Sequence, residues 1–126
     1  MKVMIVDDSS FIMLVCKQAL TAGGHEVVGE AFDGEEAISL AKTCDPDIIL
    51  MDIALPKKNG LEATAEILKY TPHVKVIAIS ALDEPWVKEK TQQVGCFSFL
   101  AKPFDAKALL QAIADTVTSE GDVRYG

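Results

Sequence analysis

Apolar positions along this chain follow two alternating rhythms. Short, nearly unbroken runs occur at residues 2–6, 48–51, 76–79 and 97–101, and a more polar one at 26–31. Continuous runs of this length, bounded by turn formers, suit strands buried on both faces. Between them, apolar residues recur every three or four positions, the spacing of helices with one buried face.

Helix boundaries are written in capping residues. Ser9 or Ser10 can accept hydrogen bonds from the first turn of a helix over 11–22, which Gly23-Gly24 then stop. Asp33 with Glu36, and Asn59 with Glu62, place an acid at the third helical position after a cap, the spacing of a capping box. These predict helices from 34 to about 43 and from 60 to about 70. Asp83 is the expected cap of a fourth helix that tolerates Pro85 in its first turn, runs to about residue 94 and closes at Gly95. Asp105 caps the last, whose Leu109, Leu110, Ile113 and Val117 share a face.

Five strands alternating with five helices imply a parallel sheet covered by helices on both sides. The first, third and fourth runs are the most uniformly apolar and belong in the centre. The second carries Gly29 and two glutamates and the fifth carries Ser98, so both suit edges. The strand order 2-1-3-4-5 satisfies these demands.

A length of 126 residues fits one domain, expected over 1–120 with a polar tail at 121–126. The net charge of −7, from 19 acids against 12 bases, and a lone arginine, Arg124, leave no basic footprint for direct nucleic-acid binding. No apolar run is long enough for membrane insertion, and a cytoplasmic location is expected. Cys16, Cys44 and Cys96 have no paired spacing for zinc or redox work and read as reduced small hydrophobes.

In a parallel sheet the carboxyl ends of the strands share one edge. The first strand ends in Asp7-Asp8, the third in Asp52, the fourth in Ser80 and the fifth in Lys102. Each residue has a plainer reading alone: a capping turn, a loop acid, a helix cap, a solvated lysine. Together they make a site. Three clustered carboxylates repel each other unless a cation intervenes. Lys102 offsets one charge, and the remainder suits a hard divalent ion, Mg²⁺ being the usual cellular choice. Asp8 and Asp52 would bind it directly and Asp7 through a coordinated water, with the Ala54 backbone carbonyl completing the shell. Such a cation and Lys102 stabilise the oxygens of a phosphoryl group in transfer. Ser80 adds a hydroxyl, and Asp52 is the candidate nucleophile, with no His or Cys near a strand end to compete.

Asp7-Asp8, Asp52, Ser80-Ala81 and Lys102-Pro103, with the segment Asp52-Ile53-Ala54-Leu55-Pro56 and Gly60 beyond it, resemble the receiver domain of two-component response regulators, CheY-like single-domain type. The resemblance covers about residues 1–120. It implies an α/β fold, the (βα)5 flavodoxin-like three-layer sandwich. It also implies a phosphorylation-activated switch in which Asp52 accepts a phosphoryl group from a sensor histidine kinase or phosphotransfer protein, contacted by Ser80, Ala81 and Lys102. By the same resemblance Ser80 moves toward that group, Phe99 turns inward behind it, and the Lys102–Pro103 bond is cis. The responsive surface, for a downstream target protein, is the fourth helix, fifth strand and fifth helix, including Trp86, Val87, Phe99 and Lys107. The implied protein is chemotaxis-like, assisting its own phosphorylation and dephosphorylation without being an ordinary enzyme.

This chain departs from the family's pattern at three positions. Phe99 has no hydroxyl, so a switch built on a buried tyrosine hydrogen bond is replaced by ring rotation. Ala54 and Leu82 are apolar where many relatives are polar. These positions flank the family's route for attacking water, which implies a long-lived phosphoryl group. Among alternatives, a mononucleotide binder would need a Ser/Thr/Gly-rich loop where this chain has Asp7-Asp8. A haloacid-dehalogenase-type phosphatase would need a second Asp at position 54. A phosphorylation-independent interaction module would not need the complete acid, hydroxyl and lysine set, and a receiver excised from a longer, for example transcriptional, regulator would look the same. Trp86 and Phe11 also read as partly buried apolar residues, and His25 and His73 fall in predicted turns with no assigned role.

Overall fold

In the computed structural model, residues 1–118 are described, apart from Pro56 and Asp83. The elements alternate as β1 (Lys2–Val6), α1 (Ser10–Ala22), β2 (Glu26–Ala31), α2 (Gly34–Cys44), β3 (Ile48–Asp52), α3 (Gly60–Tyr70), β4 (Lys75–Ser80), α4 (Pro85–Gln93), β5 (Ser98–Ala101) and α5 (Ala106–Thr118). All strand pairs are parallel, in the order β2-β1-β3-β4-β5.

Strand side chains alternate between faces, so the three apolar central strands fill two cores. Met4, Val6, Ile49, Met51, Val76 and Ala78 pack against Ala37 and Ala41 of α2 and Ala63 and Ile67 of α3. Val3, Ile5, Ile48, Leu50, Ile77 and Ile79 pack against Met13, Cys16 and Leu20 of α1 and Leu109 and Ile113 of α5. Burying each large aliphatic side chain contributes roughly 1.5–3 kcal/mol, so the sheet is a stiff base for whatever its ends carry. At the β2 edge the pairing slips between Val3 and Met4. There a Cβ on Gly29 would meet Leu40 Cδ2 at 2.9 Å, which explains the missing side chain.

Four expected caps are present, but the capping box expected at Asp33 does not close, because Glu36 accepts from Phe32 N at 3.0 Å instead of from the Asp33 backbone. Ser9 accepts from Ile12 N at 3.3 Å, Asp33 from Glu36 N at 2.8 Å and Asp105 from Ala108 N at 2.8 Å. Asn59 and Glu62 form a reciprocal capping box. The fourth helix differs: Glu84 holds its cap position without a side-chain hydrogen bond and Pro85 opens the first turn, while Asp83, the expected cap, lies outside the described residues. The expected stripe on α5 also needs correction. Leu109, Ile113 and Thr116 form its buried line, Thr116 donating to Ile113 O at 2.7 Å, whereas Val117, one position round the helix, is 57% exposed. Val87, assigned by the resemblance to the responsive surface, is instead 2% exposed. It is the apolar anchor of α4. Cys16 and Cys96 are buried and Cys44 is half-buried, all three reduced. Residues 121–126, the expected tail, lie outside the described residues.

Candidate functional site

Register builds the site. Val6 pairs with Met51, so the next residues on the two strands, Asp7 and Asp52, emerge side by side. Ser80 pairs with Ala101, and the ladder runs one residue further as Lys102 N donates to Ser80 O at 2.8 Å. Asp7, Asp52 and Ser80 are 1%, 3% and 3% exposed at the floor of the resulting pocket, and Asp8 is exposed at its rim. Asp7, Asp8 and Asp52 each offer a carboxylate oxygen within 4.8 Å of the others.

Lys102 bridges the two buried acids, its Nζ 3.1 Å from Asp7 Oδ2 and 3.3 Å from Asp52 Oδ2. The second carboxylate oxygens meet backbone: Asp7 Oδ1 accepts from Ser9 N at 2.9 Å and Asp52 Oδ1 from Ala54 N at 3.0 Å. Both Asp52 oxygens are therefore engaged at rest. Asp7 Oδ2 is buried and lacks a directed hydrogen bond, its contact with Lys102 being an ion pair. An all-carboxylate donor set containing an under-satisfied buried oxygen fits a hard divalent cation. Ala54 places its N–H, rather than its carbonyl, on Asp52 among these contacts.

Burial pushes the Asp52 carboxyl above the usual carboxylate range, and the neighbouring Asp7 charge adds to this; the Ala54 N–H and Lys102 oppose it without cancelling it. For Lys102, burial alone would lower the ammonium's pKa. Contact with Asp7 and the charges of Asp52 and Asp7 outweigh that and raise it, so the lysine stays cationic.

Two glycines fix the loop after Asp52, and local pattern alone did not assign them this role. A Cβ on Gly60 would collide with the backbone carbonyl of Asp52, and one on Gly34 with the carbonyl of Lys58. The loop thus lies directly on the start of α2, where Lys57, at a φ of 62°, also reaches Asp33 at 3.5 Å. The available signal was the pairing of each N-cap with a glycine, Asp33-Gly34 and Asn59-Gly60. Its meaning depends on a contact distant in sequence.

The Ser80 hydroxyl accepts from Leu82 N at 2.9 Å and does not hydrogen-bond the acids. Ala81 stands beside it, exposed. Phe99 is half-buried, with Lys88 Nζ 5.6 Å from its ring centroid. The Lys102–Pro103 peptide is cis. Trp86 is 56% exposed and Phe11 72% exposed, each lining a different cavity. Among the described residues no helix is long and apolar enough to cross a membrane.

Residues 3–114 match the response regulator receiver domain family. The chain is 38% identical over 112 residues to the chemotaxis protein CheY of Thermotoga maritima, covering 89% of this chain and 93% of that protein. It is 35% identical over 114 residues to the transcriptional regulatory protein PdtaR of Mycobacterium tuberculosis, covering 89% of this chain and 54% of that one. The fold superposes with a TM-score of 0.89 and 32% identity on a chain from the CheX-CheY-BeF3-Mg+2 complex of Borrelia burgdorferi, covering 94% of this chain and 90% of that one.

Proposed function

The chain belongs to the response regulator receiver domain family, whose business is phosphorylation-activated two-component signalling rather than classical enzymology, and on that premise we propose that Asp52 is its phosphoacceptor. The donor is a phosphohistidine on a sensor kinase or phosphotransfer protein. An Asp52 oxygen forms a bond to phosphorus, the phosphorus–nitrogen bond breaks, and its electron pair returns to the imidazole. The carrying observation is the Lys102 ammonium held between buried Asp7 and Asp52, 3.1 and 3.3 Å away. That arrangement keeps a fixed positive charge where phosphoryl oxygens gather negative charge.

Asp7, Asp8 and Asp52 would hold Mg²⁺, with the Ala54 carbonyl as a further ligand. When bound, it offsets the charge of the acids and of the incoming phosphoryl group. Lys102 neutralises one phosphoryl oxygen, while the Ala81 N–H and, after release from Leu82, the Ser80 hydroxyl donate to others. Ser80 leaving its resting bond vacates space that Phe99 takes by rotating inward, which alters the exposed surface of α4, β5 and α5 for a downstream protein. The chain thereby assists its own phosphorylation and the later hydrolysis at Asp52. Residues 1–120 form this unit, 121–126 a polar tail, and the site of action is cytoplasmic. The same switch serves a free-standing chemotaxis-like protein or the input domain of a longer regulator.

The test is intact mass after incubation with Mg²⁺ and a small phosphodonor. The native chain gains one phosphoryl group and Asp52→Asn gains none; equal labelling of both, or none of either, overturns the assignment. Partner capture with and without beryllofluoride then separates a switch from a phosphorylation-independent scaffold.

A further inference from the structure

Beside the phosphoacceptor lies a cavity of about 250 Å³ lined by Ile53, Ala54, Leu61, Ser80, Ala81, Leu82, Trp86, Val87 and Lys90. Ser80, on the floor of the acidic pocket, and Ala54, whose N–H bonds Asp52 Oδ1, also line this space, so it lies against the acidic pocket. Among the described residues its wall is otherwise apolar, with one cation, Lys90, and an aromatic plane, Trp86. Leu82 and Trp86 are 51% and 56% exposed although they line a concavity, so a ligand there would remove apolar surface from water. The volume falls below the roughly 300–1,000 Å³ of sites for drug-sized molecules. It suits a single ring.

Resting on the reading of Asp52 as phosphoacceptor, we propose that this cavity is a leaving-group pocket for small aromatic acyl phosphates, which phosphorylate the chain directly. In-line attack puts the departing oxygen on the far side of phosphorus from Asp52, and the cavity that starts at Ala54 and Ser80 and is walled by the apolar Leu82 is the space to receive it. An Asp52 oxygen bonds to phosphorus, the bond from phosphorus to the acyl oxygen breaks, and its electron pair leaves on the carboxylate. No proton is needed. The released group is an aromatic carboxylate: its ring meets Trp86 and Leu82, and its negative charge faces Lys90. A polar residue at 54 or 82 would wet this wall and remove the discrimination.

The experiment compares benzoyl phosphate with acetyl phosphate at equal, sub-saturating concentrations in Mg²⁺, following the added mass with time. One extra methylene in an apolar pocket already discriminates about tenfold or more, so the native chain is expected to react roughly tenfold faster with the benzoyl donor. Trp86→Ala and Leu82→Asn, both at exposed positions that the fold does not depend on, should bring the ratio down to that set by the donors' own reactivities. A ratio unchanged by both substitutions, or near one in the native chain, overturns the pocket and leaves Asp52 as phosphoacceptor. Absence of added mass with either donor overturns both readings.

Discussion

The helices α1 and α4 flank the same acidic pocket but are held in unlike ways. The first runs for 13 residues, is capped by Ser9 and buries Met13, Cys16, Ala19 and Leu20 against the sheet. The other runs for 9 residues, has no side-chain cap and buries Val87 and Thr91. Apolar anchorage and capping set the free energy of local opening. One wall of the site is therefore stiff, and the other can shift at small cost. A displacement of Ser80 should be absorbed on the α4 side, where Phe99 and Lys88 lie, and leave α1 in place.

The largest effect should come from cutting each anchor. Leu20→Ala removes a fully buried side chain from the α1 interface and should cost about 2–5 kcal/mol in urea unfolding. Val87→Ala should cost about half as much, because it deletes less apolar volume. Equal losses would mean that the two helices are held alike. Next come the caps. Ser9→Ala should cost about 1 kcal/mol, and Glu84→Ser, which supplies the missing cap, should recover a similar amount and slow hydrogen exchange in α4. Unchanged α4 exchange in that variant would argue that its mobility has another source.

The smallest effect concerns the charge between the walls. The folded pKa of Asp52 lies above its unfolded value, chiefly through burial. Its contribution to stability is thus fully present below the unfolded carboxyl pKa, about 3.9, and is lost as pH rises through the folded value. In metal-free buffer Asp52→Asn should therefore match the native chain in acid and exceed it near neutrality by a few degrees in Tm (~2–5 °C). α4 exchange should stay unchanged. A native chain more stable than the variant at pH 7 would show that the Lys102 contact outweighs burial.

Much of this was legible because parallel sheets turn one-dimensional patterns into position. Unbroken apolar runs at β1, β3 and β4 mark central strands, Gly29 and Ser98 mark edges, and shared strand ends bring Asp7, Asp52, Ser80 and Lys102 together. What escaped depends on contacts between distant segments. The rotational phase of α5 is set by how it seats on the sheet, so Thr116 rather than Val117 faces inward. Val87 shows no sequence sign that it, and not Trp86, is the residue α4 buries. The contact of Gly34 with Lys58 joins segments 24 positions apart, and the bond tying Ser80 to Leu82 needs a turn that periodicity does not describe.

Trp86 is the chain's single tryptophan, half out of solvent on the weakly anchored helix and at the lip of the cavity beside Asp52. Excited at the red edge of the indole band, where the two tyrosines absorb little, the ultraviolet emission of this protein consequently carries one address. With no second indole in the stiff half to dilute the signal, a change of intensity or wavelength reports polarity and quenching at that lip alone, and stopped-flow fluorescence could follow this side of the molecule in real time without any attached dye.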